Sequence, residues 1–217
     1  AGRSMRCHAA GRPGEPPRTY VGSGLTVTLL PDGTFRLRQE GSGDNPPIFE
    51  LGQWAQEVDG GVRLVLRGNI VGRRAFRQVD GNRLIADDAT ELTQAASPEK
   101  IDGRYQLEGL YRDAQDGGLF AECSSGRTYP LAPGGAEPDL ERAWIEAAPS
   151  RDAQLFFQIV GRFAEDGRIE VERVVNLKPN AACPPAAPRS AALRGTEWRT
   201  LEIDGARLVV EQGQRRP

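Results

Sequence analysis

Three Asp-Gly turns, each set between runs of alternating apolar and polar residues, constrain this chain more than any other feature. GLTVTLL precedes Pro31-Asp32-Gly33 and TFRLRQE follows it; IFELGQWAQEV and VRLVLRG flank Asp59-Gly60-Gly61; RRAFRQV and RLIAD flank Asp80-Gly81-Asn82. Asp-Gly between alternating runs is the strongest short-range hairpin signal, because tight turns need residues that tolerate a left-handed backbone. The three hairpins predict a six-stranded meander that curls into a half-barrel or small barrel. A period of two places Val27, Leu29, Phe35, Leu37, Trp54, Val62, Leu64, Leu66, Phe76, Val79 and Leu84 inside it.

Alternation fades over residues 93–102, TQAASPEKID, which read as a linker. Three further strands follow, RYQLEGLYRD, GLFAEC and RTYPLA, then a helix from about Pro138 to Ala147. Leu140, Ala143, Trp144 and Ala147 share one helical face there, and Pro138 suits a first turn. AQLFFQIVGRFA and RIEVERVVNLK close the segment around Asp166-Gly167. Three strands, a helix and two strands is the element order of a five-stranded OB barrel. The expected fold class is therefore all-β with one short helix, in two domains, which suits 217 residues at roughly 100–200 per domain.

The boundaries expected are a disordered tail over 1–19, a barrel over 20–92, an OB-fold domain over 103–184, and a strand-turn-strand piece over 192–217. That last piece, around Asp204-Gly205, has no partner strands left, and a lone hairpin is marginal in water. It reads as the start of a truncated domain.

Composition excludes several functions. The net charge is -2 and no dense basic run is present, so nucleic acid is not an expected partner. No apolar run approaches the roughly 20 residues of a membrane helix. The first residues hold no signal-peptide core, which fits a cytosolic protein or, the reading favoured here, a mature chain whose export signal has been removed. No phosphate-binding glycine motif is found.

No catalytic residues are assigned. Ser124 and Ser125 lack a companion, since the single histidine, His8, sits in the tail. Asp87, Asp88, Glu91, Asp113 and Asp116 read as solvated turn and strand-end residues. Trp54, Trp144 and Trp198 read as core. Cys7 and His8 are weak metal candidates, two ligands where a closed copper or zinc site takes three or four, and otherwise a remnant of the tail. Cys123 and Cys183 stand at the two ends of the OB-like segment. A bond between them would close a loop of about sixty residues, worth roughly 4 kcal/mol as a structural staple. Such a bond places the chain outside the reducing cytoplasm.

LEGLYRDAQDGGLFAECSSGRTYPL, with LERAWIEA and ERVVNLKPNAAC, resembles the C-terminal OB-type domain of the NlpE-type copper-homeostasis and envelope-stress lipoproteins, over nearly its whole length. GLTVTLLPDGTFRLRQE with the later GQW resembles their N-terminal domain, in that family a small lipocalin-like barrel. LRGTEWRTLEIDG resembles the opening of a META or HslJ-like domain. The resemblance implies a non-enzymatic envelope lipoprotein on the periplasmic side of a Gram-negative outer membrane. It would sense stress through an envelope partner such as a sensor kinase, with a redox-responsive Cys123–Cys183 bond as the alternative to a plain staple. It also implies copper handling, but the C-x-x-C pair of the copper-handling members has no counterpart in TYVGSGLTVTLL. The rival expectation is a carrier whose barrel holds a small apolar ligand or a metal.

Overall fold

The computed structural model describes residues 6–8, 16–58, 61–70, 72–114, 117–150, 152–184, 202–203 and 206–207. Its turns close by the chemistry their residues supply. Asp32 Oδ1 accepts from the Thr34 amide at 3.0 Å and the Thr34 hydroxyl at 2.6 Å, while Gly33 takes a φ of 85°. Such a side chain fixes its own turn and Gly removes the Cβ penalty. Asp80 Oδ1 likewise accepts from the amides of Asn82 and Arg83. Asp59-Gly60 lies outside the described residues, but the ladder beside it runs to Val58 opposite Val62.

Eight strands, rather than six, make the first barrel. The meander consists of β3 (Leu25–Leu29), β4 (Thr34–Gln39), β5 (Ile48–Val58), β6 (Val62–Gly68), β7 (Gly72–Asp80) and β8 (Arg83–Ala86). Two short strands flank it, β2 (Arg18–Gly22) and β9 (Glu91–Gln94). They pair with each other, Tyr20 opposite Gln94 and Val21 opposite Thr93, and so close the ring. Closure leaves the meander no open edge. A three-residue strand, β1 (Arg6–His8), lies within the stretch read as a tail and pairs with the end of β5.

The barrel interior is packed by Tyr20, Leu25, Val27, Phe35, Trp54, Leu66, Phe76 and their neighbours. Phe35 is 0% exposed, and its ring lies against the backbone of two glycines. A Cβ on Gly52 would stand 2.2 Å from the Arg67 carbonyl oxygen and 2.8 Å from the Phe35 ring. Val79, expected inside, is instead 40% exposed. The ladder steps from Gln78 opposite Leu84 to Asp80 opposite Arg83, so Val79 is the extra residue of a bulge and loses its inward phase.

The second barrel has the OB order. Its strands are β10 (Tyr105–Arg112), β11 (Leu119–Glu122), β12 (Arg127–Pro130), β13 (Leu155–Phe163) and β14 (Ile169–Lys178). β10 pairs with both β11 and β13, β11 with β12, and β13 with β14. A parallel bridge of Leu131 to Ile169 brings the end of β12 against the start of β14 and closes the barrel. Helix α1 (Glu137–Ala147) lies between β12 and β13 and buries Leu140 and Trp144 in that core.

Of residues 93–102, read from sequence as a linker, Thr93 and Gln94 belong to β9, and the remainder is bonded along the outside of the first barrel. Glu99 donates its amide to Thr19 Oγ1, accepts from the Thr28 hydroxyl, and holds Arg38 Nη1 at 2.9 Å. Near the chain end, β15 (Glu202–Ile203) and β16 (Ala206–Arg207) form a two-residue ladder.

Because Gly52 has no room for a side chain, Gly52→Ala should destabilise the chain by about 1–3 kcal/mol in urea unfolding. An unchanged midpoint would show that the Phe35 contact is not tight.

Candidate functional site

The disulfide turn is built around one buried carboxylate. Glu122 ends β11 at 2% exposure, and its two oxygens accept from the amides of Ser124 at 2.9 Å and Ser125 at 2.7 Å. Gly126, at φ 64°, returns its amide to the Glu122 carbonyl. Desolvation pushes the Glu122 carboxyl above its ordinary range, against the opposing pull of the Ser125 and Ser124 hydrogen bonds. Cys123 sits inside this turn with its amide on the Glu108 carbonyl at 2.8 Å. Its sulfur is bonded to that of Cys183, just past β14, with Cα atoms 5.2 Å apart.

The same turn is where the second barrel meets the first. Gln53 Nε2, from β5, donates to the Ser125 carbonyl at 3.1 Å. Arg127 Nη2 donates to the Asp32 carbonyl and stands 3.5 Å from the Asp32 carboxylate. Arg36, on the outward face of β4, lies with its guanidinium carbon 3.4 Å from the centroid of Phe163 and 5.4 Å from that of Tyr105. Phe163 is in turn edge-on to Tyr105 at 5.4 Å and to Tyr129 at 5.2 Å. A cation caught between aromatic faces and shielded from water gains more than one at the surface. Burial also raises the phenols of Tyr105 and Tyr129, partly countered by Arg36.

This arrangement supplies no nucleophile-base pair. Ser125 Oγ is engaged by the Arg127 amide and lies 3.4 Å from the Tyr129 hydroxyl, and the single histidine is in β1. Cys7 is opposite Glu57 and His8 opposite Gln56. Among the described residues no three His, Cys, Asp or Glu side chains converge as a metal site. Asp88 is occupied by Thr90 and Arg74, and Glu91 by Arg83. Trp54 donates to the Leu30 carbonyl and Trp144 to that of Ala153. Asp116 and Trp198 lie outside the described residues. An open cleft of ≈ 720 Å³ beside α1 is lined by Asp113, Glu137, Glu141 and Asp152 with Arg112.

Sequence reasoning singled out the cysteines and not the surface they serve. Asp32, Arg36, Gln53, Glu122 and Arg127 read as ordinary turn or solvent-facing residues. The only signal was the outward phase of Arg36 and Leu51, directly opposite each other on β4 and β5, where Leu51 is an apolar residue with no place in its own barrel.

Comparison with known proteins agrees with the second barrel. A family model described as the NlpE C-terminal OB domain matches residues 102–184. The match ends there, so the likeness of LRGTEWRTLEIDG to a META-type opening stands on its sequence alone. No curated protein gave a significant match. Among solved structures, the Cpx pathway activator NlpE from Escherichia coli superposes with a TM-score of 0.36 and 17% identity, over 84% of this chain and 98% of that one. That superposition is too loose to carry residue correspondences.

The raised Glu122 carboxyl has a pH consequence. Its folded state binds the proton more readily than the unfolded chain, so ionised Glu122 costs stability at neutral pH. The cost disappears as pH falls through the raised value toward the ordinary 4.5. Between pH 7 and pH 4.5 the wild-type chain should therefore gain unfolding free energy relative to Glu122→Gln. Parallel curves for the two proteins would contradict the assigned shift.

Proposed function

We propose that this chain, whose residues 102–184 match the model of the NlpE C-terminal OB domain, is a non-enzymatic cell-envelope lipoprotein of a Gram-negative bacterium that signals stress by contact with a membrane sensor protein. The Escherichia coli NlpE is a Cpx pathway activator, and the proposal extends that kind of role to this chain. The observation that carries it is the position of the disulfide: Cys123 lies in the turn whose next residues grip the first barrel through Gln53–Ser125 and Asp32–Arg127.

The coupling follows from the covalent path. While the bond holds, the turn is fixed from two sides, by the Glu122 carboxylate within and by Cys183 beyond β14. Loss of the bond leaves the carboxylate alone to hold it. The grip on Asp32 and Gln53 then weakens, and the Arg36–Phe163 contact and the packing of Leu51 and Phe49 in the second core become the remaining ties. A chain that reports oxidative folding in the envelope needs such a link between a thiol pair and an interface. Copper handling is not part of this proposal, since the C-x-x-C pair of the copper-handling members has no counterpart in TYVGSGLTVTLL. The rival carrier role finds less support, because the inward side chains of the first barrel pack on one another as a core.

Thiol titration in denaturant should find one reactive thiol of the three cysteines before reduction and three after it. Cys123→Ala/Cys183→Ala should lose about 4 kcal/mol of stability. The same variant should also exchange amide hydrogens faster along Phe49 to Gln53, in the other barrel. Lost stability with unchanged exchange there would leave the bond as a plain staple. In cells, overproducing the chain should raise an envelope-stress reporter, and the double variant should change that output; a silent reporter in both cases ends the signalling proposal.

A further inference from the structure

Residues 63–77, RLVLRGNIVGRRAFR, carry five arginines and no carboxylate, and folding gathers four of them on one face. On the outer side of β6 and β7, Arg63 lies directly opposite Arg77, and Arg67 directly opposite Arg73. Like charges directly opposite each other across a sheet repel and destabilise the pair. Between the two rows Val65, 0% exposed, stands opposite the half-buried Ala75, so the guanidinium groups rather than these apolar side chains form the surface. Glu57, the one carboxylate that pairs with these arginines among the described residues, reaches Arg67 and Arg73 at 3.1 Å each and stands directly opposite Arg63 on the neighbouring β5. Arg63 and Arg77, both exposed, make no ion pair or hydrogen bond among the described residues. Four guanidinium groups against one carboxylate leave a net of three positive charges, on a chain whose overall charge is -2.

Position adds a second cue. The rows are four residues apart along the strand, about 13 Å, so the charge forms a band rather than a point. At one end of the band, in the β6–β7 turn beside Arg67 and Arg73, Ile70 is 49% exposed. An exposed branched aliphatic residue at a hairpin tip, flanked by guanidinium groups, matches the interface of a lipid layer, where phosphates lie above the first methylenes. Guanidinium suits this role because its fork binds phosphate oxygens bidentately.

We propose that the outer face of β6 and β7, with Arg63, Arg67, Arg73 and Arg77 and the Ile70 tip, docks on a phosphate-bearing lipid surface. Phosphates there relieve the repulsion within both Arg rows, and Ile70 enters the headgroup boundary. The face lies on the first barrel, so the docking is independent of the signalling role proposed for the disulfide turn.

Full-length chain sedimented with vesicles provides the test. It should partition onto phosphatidylglycerol–phosphatidylcholine vesicles and not onto pure phosphatidylcholine, and 0.5 M salt should release it. Each cation near an anionic leaflet contributes about a fivefold gain, so Arg63→Gln/Arg77→Gln should lower partition roughly 20-fold. Neither residue holds an ion pair among the described residues, so the unfolding midpoint of that variant should not fall, and relief of the Arg63–Arg77 repulsion should raise it slightly. Arg142→Gln/Arg168→Gln, away from the face, should bind as wild type. Equal partition onto both vesicle types, or an unaffected Arg63→Gln/Arg77→Gln variant, overturns the proposal. So does binding of polyglutamate through this face without binding of vesicles, which would assign it to an acidic protein partner.

Discussion

The alternation of a single strand, β5, governs the whole molecule. Its eleven residues pair with β4 and β6 along the first barrel and touch β10 of the second through Phe49 and Tyr105. Residues of one phase point into the first barrel, where Trp54 joins Phe35 and Phe76. Residues of the other phase belong to the neighbour: Leu51 is buried in the second core and Phe49 packs against it. A slip of one residue would exchange the two sets and empty both cores at once. Glycine at position 52 follows from the same constraint, because the strand is pressed against Phe35 and the β6 backbone simultaneously.

The contact between barrels is stabilised differently from either core. Beside Leu51 and Phe49, which enter the second core, it consists of one stacked guanidinium, a few hydrogen bonds and an aromatic cluster, with the strap over residues 95–102 held separately through Thr19, Thr28 and Glu99. Interfaces of this mixed kind open at lower free energy than the cores they join. Placing a disulfide-held turn at that contact, rather than deep in a barrel, makes the covalent bond matter where the structure is easiest to change.

Much of this fold was legible in the chain because local chemistry and global topology agree. Asp32-Gly33 and Asp80-Gly81 mark hairpins through their own side-chain and backbone preferences, and Leu140 and Trp144 mark the helix through their spacing. The closing strands were not legible. β2 and β9 are five and four residues long and contribute only Tyr20 and Leu92 to the first core, too few positions for a period to show. The contact surface was hidden for another reason: Arg36, Gln53 and Arg127 look like solvent residues on any alternating strand, and only the partner makes them otherwise. The arginines of residues 63–77 are visible in the chain, but their pairing into two rows exists only once the β6–β7 register sets Arg63 against Arg77 and Arg67 against Arg73. Val79 shows the converse, a regular apolar phase undone by one extra residue in the ladder.

The bond at Cys183 also fixes where mechanical load would travel. Past β14 the chain is stapled to the β11–β12 turn within five residues of Lys178, so tension applied from the C-terminal side bypasses the β13–β14 ladder. It arrives at Cys123, next to the residues that hold Asp32 and Gln53. With the bond intact, a pull is delivered to the joint between the barrels; with the bond reduced, the same pull would unzip β14 from its end and leave the joint untouched.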